Sequence, residues 1–296
     1  MRGSSALVLV ALIAVGCGKP HTQRTSRLDG DSIINGTPVE KRESAAARSV
    51  VMVELLNIDN QRLGFCSGTL IDSNIVLTAA HCFDLRIFPA LRKFNILFVN
   101  ALNEKSPAVL RKGISYSMNA SYNKDAVLDH DIAVLLFKNA APAGFAPVPI
   151  DEDVSANYGS KTLFVYGYGR TIDYTGIPDQ HEIQNPGILH RGLMTADSDY
   201  NRFPDRYLTK MESPTTLCQG DSGGPQFFNE KNVLKVVGVN SGVLGKELPN
   251  GKHSCKAQGQ ATKVARFAPW IKKEIKALKK KYLLVSESPE ELISQY

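Results

Sequence analysis

Cysteine is scarce in these 296 residues, which hold five. Five is too few to knit a disulfide miniprotein, and an odd count leaves one sulfur without a partner. No apolar run reaches the roughly 18–20 residues of a membrane-spanning helix. His21, His181, His190 and His253 lack the paired spacing of a metal site, so neither metal nor cofactor is expected. The basic excess is small, 35 − 29 = +6, and no aromatic-and-basic motif accompanies it, which argues against nucleic acid as a partner. With 43% hydrophobic and 22% charged residues, the chain is neither disordered nor fibrous.

What is present begins at the amino end. Arg2 precedes an apolar run from Ala6 to Val15, the length of a signal-peptide core. Ala14-Val15-Gly16-Cys17 then resembles a bacterial lipobox, in which the cysteine sulfur is diacylated and the chain is cut before it. Residues 1–17 are therefore expected to be an export signal with a lipid anchor at Cys17. The alternative is a plain secretory signal with an incidental cysteine. Gly18 follows, not the aspartate of inner-membrane retention, so an outer-membrane or cell-surface address is expected. Residues 18–32 are polar and aperiodic, a tether or propeptide.

Three segments carry the chemistry: Leu77-Thr78-Ala79-Ala80-His81-Cys82, Asp129-His130-Asp131-Ile132-Ala133-Val134-Leu135, and Cys218-Gln219-Gly220-Asp221-Ser222-Gly223-Gly224-Pro225. A serine hydroxyl is a weak nucleophile at neutral pH and needs an adjacent base, which histidine supplies. The imidazole in turn needs a carboxylate that fixes its tautomer and stabilises the charge it gains. Read singly, each segment has a bland meaning: a structural histidine, the start of a buried strand, a glycine turn. Gly220-Asp221-Ser222-Gly223-Gly224 also fits the G-x-S-x-G turn of α/β-hydrolases. That reading fails on order, because it needs an acid and then a histidine after the serine, and only His253 lies downstream.

Together the segments closely resemble the trypsin/chymotrypsin family of serine proteases, whose order is His, Asp, Ser. The resemblance implies Ser222 as nucleophile, His81 as general base and then acid, and Asp131 as the group that orients it. Asp129 competes for the acid role, but Asp131 directly precedes the apolar run Ile132–Phe137, where the family keeps its aspartate. His130 between them is expected to be a solvated neighbour. The amides of Gly220 and Ser222 are implied as the oxyanion hole.

The resemblance extends over roughly residues 33–280. It includes Ile33-Ile34-Asn35-Gly36, Phe65-Cys66-Ser67-Gly68, Gly238-Val239-Asn240-Ser241-Gly242 and Ala268-Pro269-Trp270-Ile271, the last opening a carboxyl-terminal helix. Tyr166-Gly167-Tyr168-Gly169 is similar to the family's Gly-Trp-Gly element, with tyrosine for tryptophan. It implies an all-β fold: two six-stranded antiparallel β-barrels with the active site between them, and a C-terminal α-helix. Short apolar runs at 49–56, 75–78, 132–137, 163–166 and 234–239, bounded by Gly, Pro, Asn and Asp, agree. The expected domain is 33–282, with a C-terminal extension at 283–296 in which Ser288-Pro289-Glu290-Glu291 reads as a helix start. Implied disulfides are Cys66–Cys82 and Cys218–Cys255.

The family is a zymogen, activated by a cut before the Ile-type residue whose new amine pairs with the acid before the serine; here these are Ile33 and Asp221. Ser32 precedes the cut, where many relatives carry Arg or Lys, so the expected activator favours small residues. Alignment puts Thr216 at the base of the primary pocket, Ser241, Gly242 and Val243 along one wall and Gly259 opposite. Thr216 has no charge, so small to medium uncharged side chains are expected before the scissile bond. Calcium is not supported, because Leu97–Leu110 holds Glu104 as its one acid. The implied function is an exported serine endopeptidase with protein or peptide substrates and protease inhibitors as partners, released as a soluble enzyme on activation. A silent binding protein and an esterase on the same fold are the alternatives. Lys272, Lys273, Lys276, Lys279, Lys280 and Lys281 read as a solvated helix face, the alternative being contact with a polyanion.

Overall fold

The computed structural model describes residues 33–100, 109–123, 125, 128–173, 187–249, 251 and 253–286. The signal, the tether, Cys17 and Ser288–Glu291 lie outside the described residues. Thirteen strands are described: Thr37–Pro38 (β1), Val50–Leu56 (β2), Arg62–Asp72 (β3), Ile75–Thr78 (β4), Lys93–Phe98 (β5), Val109–Met118 (β6), Ala133–Phe137 (β7), Thr162–Gly167 (β8), His190–Thr195 (β9), Arg206–Leu208 (β10), Pro225–Glu230 (β11), Val233–Val243 (β12) and Gly259–Lys263 (β13). A short helix, Ala45–Ser49 (α1), and a long one, Val264–Ser286 (α2), complete the set. The five apolar runs read from the sequence fall on β2, β4, β7, β8 and β12.

The first half closes into a six-stranded antiparallel barrel in the order β2-β3-β4-β7-β6-β5. β2, β4 and β7 are buried along their whole length, so they read as continuous apolar runs, not as alternating ones. Met52, Leu70, Ile75, Leu77, Ile96 and Phe137 are fully buried and fill it. A barrel of this size holds packed side chains and no channel.

The second half differs from the six-stranded barrel expected. It is a seven-stranded sheet in the order β1-β9-β8-β11-β12-β13-β10. Its two sides meet at a single isolated bridge, Ala196 to Thr209, just past the ends of β9 and β10. Only three residues long, β10 is too short to build a ladder there.

The terminal helix starts at Val264, four residues before the Ala268 expected. Pro269 therefore sits in its second turn, not its first, and gives up one helix hydrogen bond. The helix runs on to Ser286 and buries Phe267, Ile271 and Leu278 against the body. Its lysines face outward, with Lys272 paired to Glu152 at 2.5 Å and Lys279 to Asp72 at 2.7 Å.

Candidate active site

His81 lies in a short 3-10 turn, Ala80–Phe83, directly after β4. The expected disulfide Cys66–Cys82 ties this turn to β3. Cys66, His81 and Cys82 bring their ligand atoms within 4.8 Å of one another. Both sulfurs are spent in the disulfide, so the trio is not a metal site.

Asp131 stands just before β7 and is fully buried. Its carboxylate accepts the His81 backbone N–H at 2.8 Å and faces His81 Nδ1 at 2.7 Å. It also accepts the Ser241 hydroxyl at 2.5 Å, and Thr262 donates to its backbone carbonyl at 2.9 Å. A buried carboxylate needs such donors. Burial lowers the His81 pKa, but the charge and hydrogen bond of Asp131, with Asp84 adding to them, outweigh it. The imidazole therefore sits above its ordinary value of 6.5. Asp129 is turned away and ion-paired with Arg206. The structure gives His130 more than solvent: its backbone N–H donates to Asp205 at 3.0 Å and its ring packs edge-on against Phe267.

The Ser222 loop docks onto the first barrel. The Ser67 N–H donates to the Ser222 carbonyl at 2.8 Å, and the Ser67 hydroxyl to the Gly220 carbonyl at 2.8 Å. A Cβ on Gly223 would lie 2.9 Å from the Ala79 nitrogen, so only glycine lets the loop approach the segment that leads to His81. Gly220 has φ +98°, where a side chain is strained. Within this loop the N–H groups of Asp221, Gly223 and Gly224 are taken by carbonyls. Among the described residues, the N–H groups of Gly220 and Ser222 meet no acceptor, and the Ser222 hydroxyl makes no hydrogen bond. Two unsatisfied donors flanking a hydroxyl suit a developing oxyanion. Serine–histidine bonds are often long without substrate.

Asp221 is the second fully buried acid. Burial pushes its pKa up to about 7, against the backbone N–H donors of Cys218, Gly169 and Ile33. The glycines of Tyr166-Gly167-Tyr168-Gly169 exist to admit this carboxyl group: a Cβ on Gly169 would lie 2.7 Å from its Cγ. Tyr168, at the tryptophan-like position, is fully buried. Its hydroxyl donates to the Val99 carbonyl and accepts from Arg42, each at 2.6 Å, which joins the two halves.

A cavity of about 80 Å³ opens beside Ser222, lined also by Leu217, Asn240, Ser241, Gly242 and Val243. Cys218, bonded to Cys255 as expected, lines it too. Two expected pocket residues do not line it. The Thr216 backbone exchanges hydrogen bonds with Ile34 at 3.0 and 3.3 Å. Behind Gly259, a Cβ would meet Met194, Thr209 and Leu217 within 3.2 Å. Leu217, which does line the cavity, and Met194 therefore pack close against Gly259.

A family model described as Trypsin matches residues 33–271. The chain belongs to the trypsin family. Trypsin I-P1 and trypsin I-P38 of Gallus gallus are each 26% identical over 275 residues, covering 90% of this chain and 96% of theirs. Trypsin of Xenopus laevis is 32% identical over 222 residues, covering 71% of this chain and 81% of its own. As a trypsin-family chain it has a serine protease fold, and such proteases act on proteins or peptides. Sequence reading missed Leu217, Met194 and Arg42. Leu217 adjoins Cys218 and was within reach by counting. Arg42, which also donates to the carbonyls of Ala47, Val50 and Val99, carries no local motif.

Proposed function

We propose that this chain is an exported serine endopeptidase that works through an acyl-enzyme. The observation that supports this best is the buried Asp131 carboxylate, held by His81 and Ser241, beside a serine flanked by two unsatisfied N–H groups. Ser222 Oγ attacks the peptide carbonyl carbon while its proton passes to His81 Nε2. The carbonyl oxygen becomes an oxyanion facing the Gly220 and Ser222 amides. The C–N bond then breaks, His81 returns the proton to the leaving amine, and water repeats the sequence to free the acid.

Cleavage before Ile33 is the proposed activation. In the full chain the Ile33 nitrogen is an amide that gives Asp221 one hydrogen bond. Cutting turns it into an ammonium, which offsets the cost of the buried charge and fixes Gly220. The 80 Å³ cavity, walled by Leu217 and Val243, suits a small uncharged side chain before the cut bond; ligand pockets for larger groups run above about 300 Å³. Export by residues 1–17, lipidation at Cys17 and release of the enzyme on activation complete the reading. The four remaining cysteines are paired inside the enzyme, so none tethers it to residues 18–32. Among the described residues no helix is long and apolar enough to cross a membrane.

A fluorophosphonate probe on protein starting at Ile33 tests the enzyme. Labelling at Ser222, lost in His81→Ala, is the expected result. Absence of labelling would sink the enzyme and leave a binding protein. Peptide and ester substrates offered in parallel separate a protease from an esterase, and a peptide library reads the preferred side chain.

A further inference from the structure

A second cavity, of about 170 Å³, shares no lining residue with the one beside Ser222. Lys263, the last residue of β13, lines it and is only 6% exposed. Its ammonium donates to the Phe203 carbonyl at 2.8 Å, reaches Asn201 Oδ1 at 3.5 Å and lies 4.3 Å from the Tyr200 ring centre. All three partners are neutral. Among the described residues no carboxylate comes within ion-pair distance of it. A buried charge without a counter-charge is costly. Burial pulls the amine below its ordinary value and the charge of Arg266 adds repulsion, which Asp205 opposes.

Arg266 lines the same cavity, is exposed and likewise has no acid partner. The opposite wall holds Asp151 and Asp153, both already supplied with donors. Asp151 accepts the Tyr158 hydroxyl at 3.0 Å and the Asp153 N–H at 3.3 Å, with Lys235 at 3.9 Å. Asp153 accepts the Ser155 N–H at 2.9 Å and its hydroxyl at 2.6 Å. The acids have donors and the two cations have no acid, so the unmet need of this cavity is an anion.

We propose that the cavity binds a small oxyanion, a phosphate or carboxylate group, between Lys263 and Arg266. The site is separate from the proposed catalytic groups but close to their scaffold. Thr262, one residue before Lys263, is the donor to the Asp131 carbonyl, and the Lys263 N–H donates to the Asp205 carbonyl at 2.8 Å.

Titration calorimetry of the full-length Ser222→Ala chain with inorganic phosphate, at ionic strength balanced with chloride, tests this. The expected result is saturable binding of one phosphate and a parallel rise in melting temperature. Acetate as a competitor shows whether a carboxylate enters the same site. Lys263→Met should weaken phosphate binding about tenfold or more, because a charge-assisted hydrogen bond is lost. Without phosphate it should melt no lower than its parent, since a buried charge is gone. If Lys263→Met does not fold, Arg266→Ala, at an exposed position, takes its place and should weaken binding severalfold. No saturable binding to the parent chain, or an unchanged phosphate midpoint in the folded variant, would overturn the proposal.

Discussion

Two carboxylates with no solvent exposure flank the chemistry at Ser222, and the chain supports them by different means. Asp131 is met by side chains that reach it from both halves of the molecule, His81 from the turn after β4 and Ser241 from β12, with the His81 backbone N–H as a third donor. Asp221 is met by backbone N–H groups alone, from Cys218, Gly169 and Ile33, and burial lifts its pKa to about 7. The first acid is complete once the chain has folded. The second is met by amide donors, and the proposed cut before Ile33 would turn one of them into an ammonium. On the proposed activation, the contrast separates what folding builds from what the cut would add, and it can be broken experimentally at either acid.

The largest effect is expected at Asp131. In protein starting at Ile33, Asp131→Asn should slow probe labelling of Ser222 by about 10⁴-fold, because the imidazole loses the group that fixes its tautomer. Retained labelling would mean that Asp131 does not orient His81. Asp221→Asn should cost about 10²–10³-fold, the loss expected when one oxyanion donor is displaced. It should cost little before the cut, when the amine is absent. Equal losses before and after processing would erase the distinction between the two acids.

Ser241→Ala removes a 2.5 Å hydrogen bond to a buried charge and should lower unfolding stability by about 1.5–3 kcal/mol, read by denaturant melts. A further signal is in pH. In the uncut chain the Asp221 pKa is raised from 3.8 to about 7, so the native state holds its proton more tightly than the unfolded state does. Its contribution is full below pH 3.8 and is lost as pH rises through 7. The uncut Ser222→Ala chain should therefore lose melting temperature from pH 4 to 7, relative to the same chain starting at Ile33. Parallel curves would show that the new amine does not pair with Asp221. His81, with its pKa above 6.5, sets a separate limit: labelling should fall as pH drops through that raised value.

Much of this was legible in the chain itself. His81, Asp131 and Ser222 sit in segments whose residue types are forced by the chemistry, and both disulfides pair as the resemblance implied. The runs at 75–78 and 132–137 became β4 and β7 because both are buried on all sides. What was not legible depended on packing across the sequence. Thr216 is claimed by Ile34, more than 180 residues away in the chain, and no local signal announces that bond. The resemblance set the start of α2 at Ala268, whereas the helix begins at Val264 and tolerates Pro269 in its second turn. The second sheet joins its β9 and β10 sides at the Ala196–Thr209 bridge alone, because β10 stops after three residues.

Ile33 shares one small apolar cluster with Val165, Met194 and Leu217, and Val243 packs against it. Leu217 and Val243 also wall the cavity beside Ser222, so the socket of the proposed new amino terminus and the proposed substrate cavity share two side chains. Enlarging the cavity by trimming Leu217 would hollow out that socket as well. On the proposed function, substrate range and maturation would be coupled through those two side chains. A broader enzyme would have to be re-engineered at its own amino terminus.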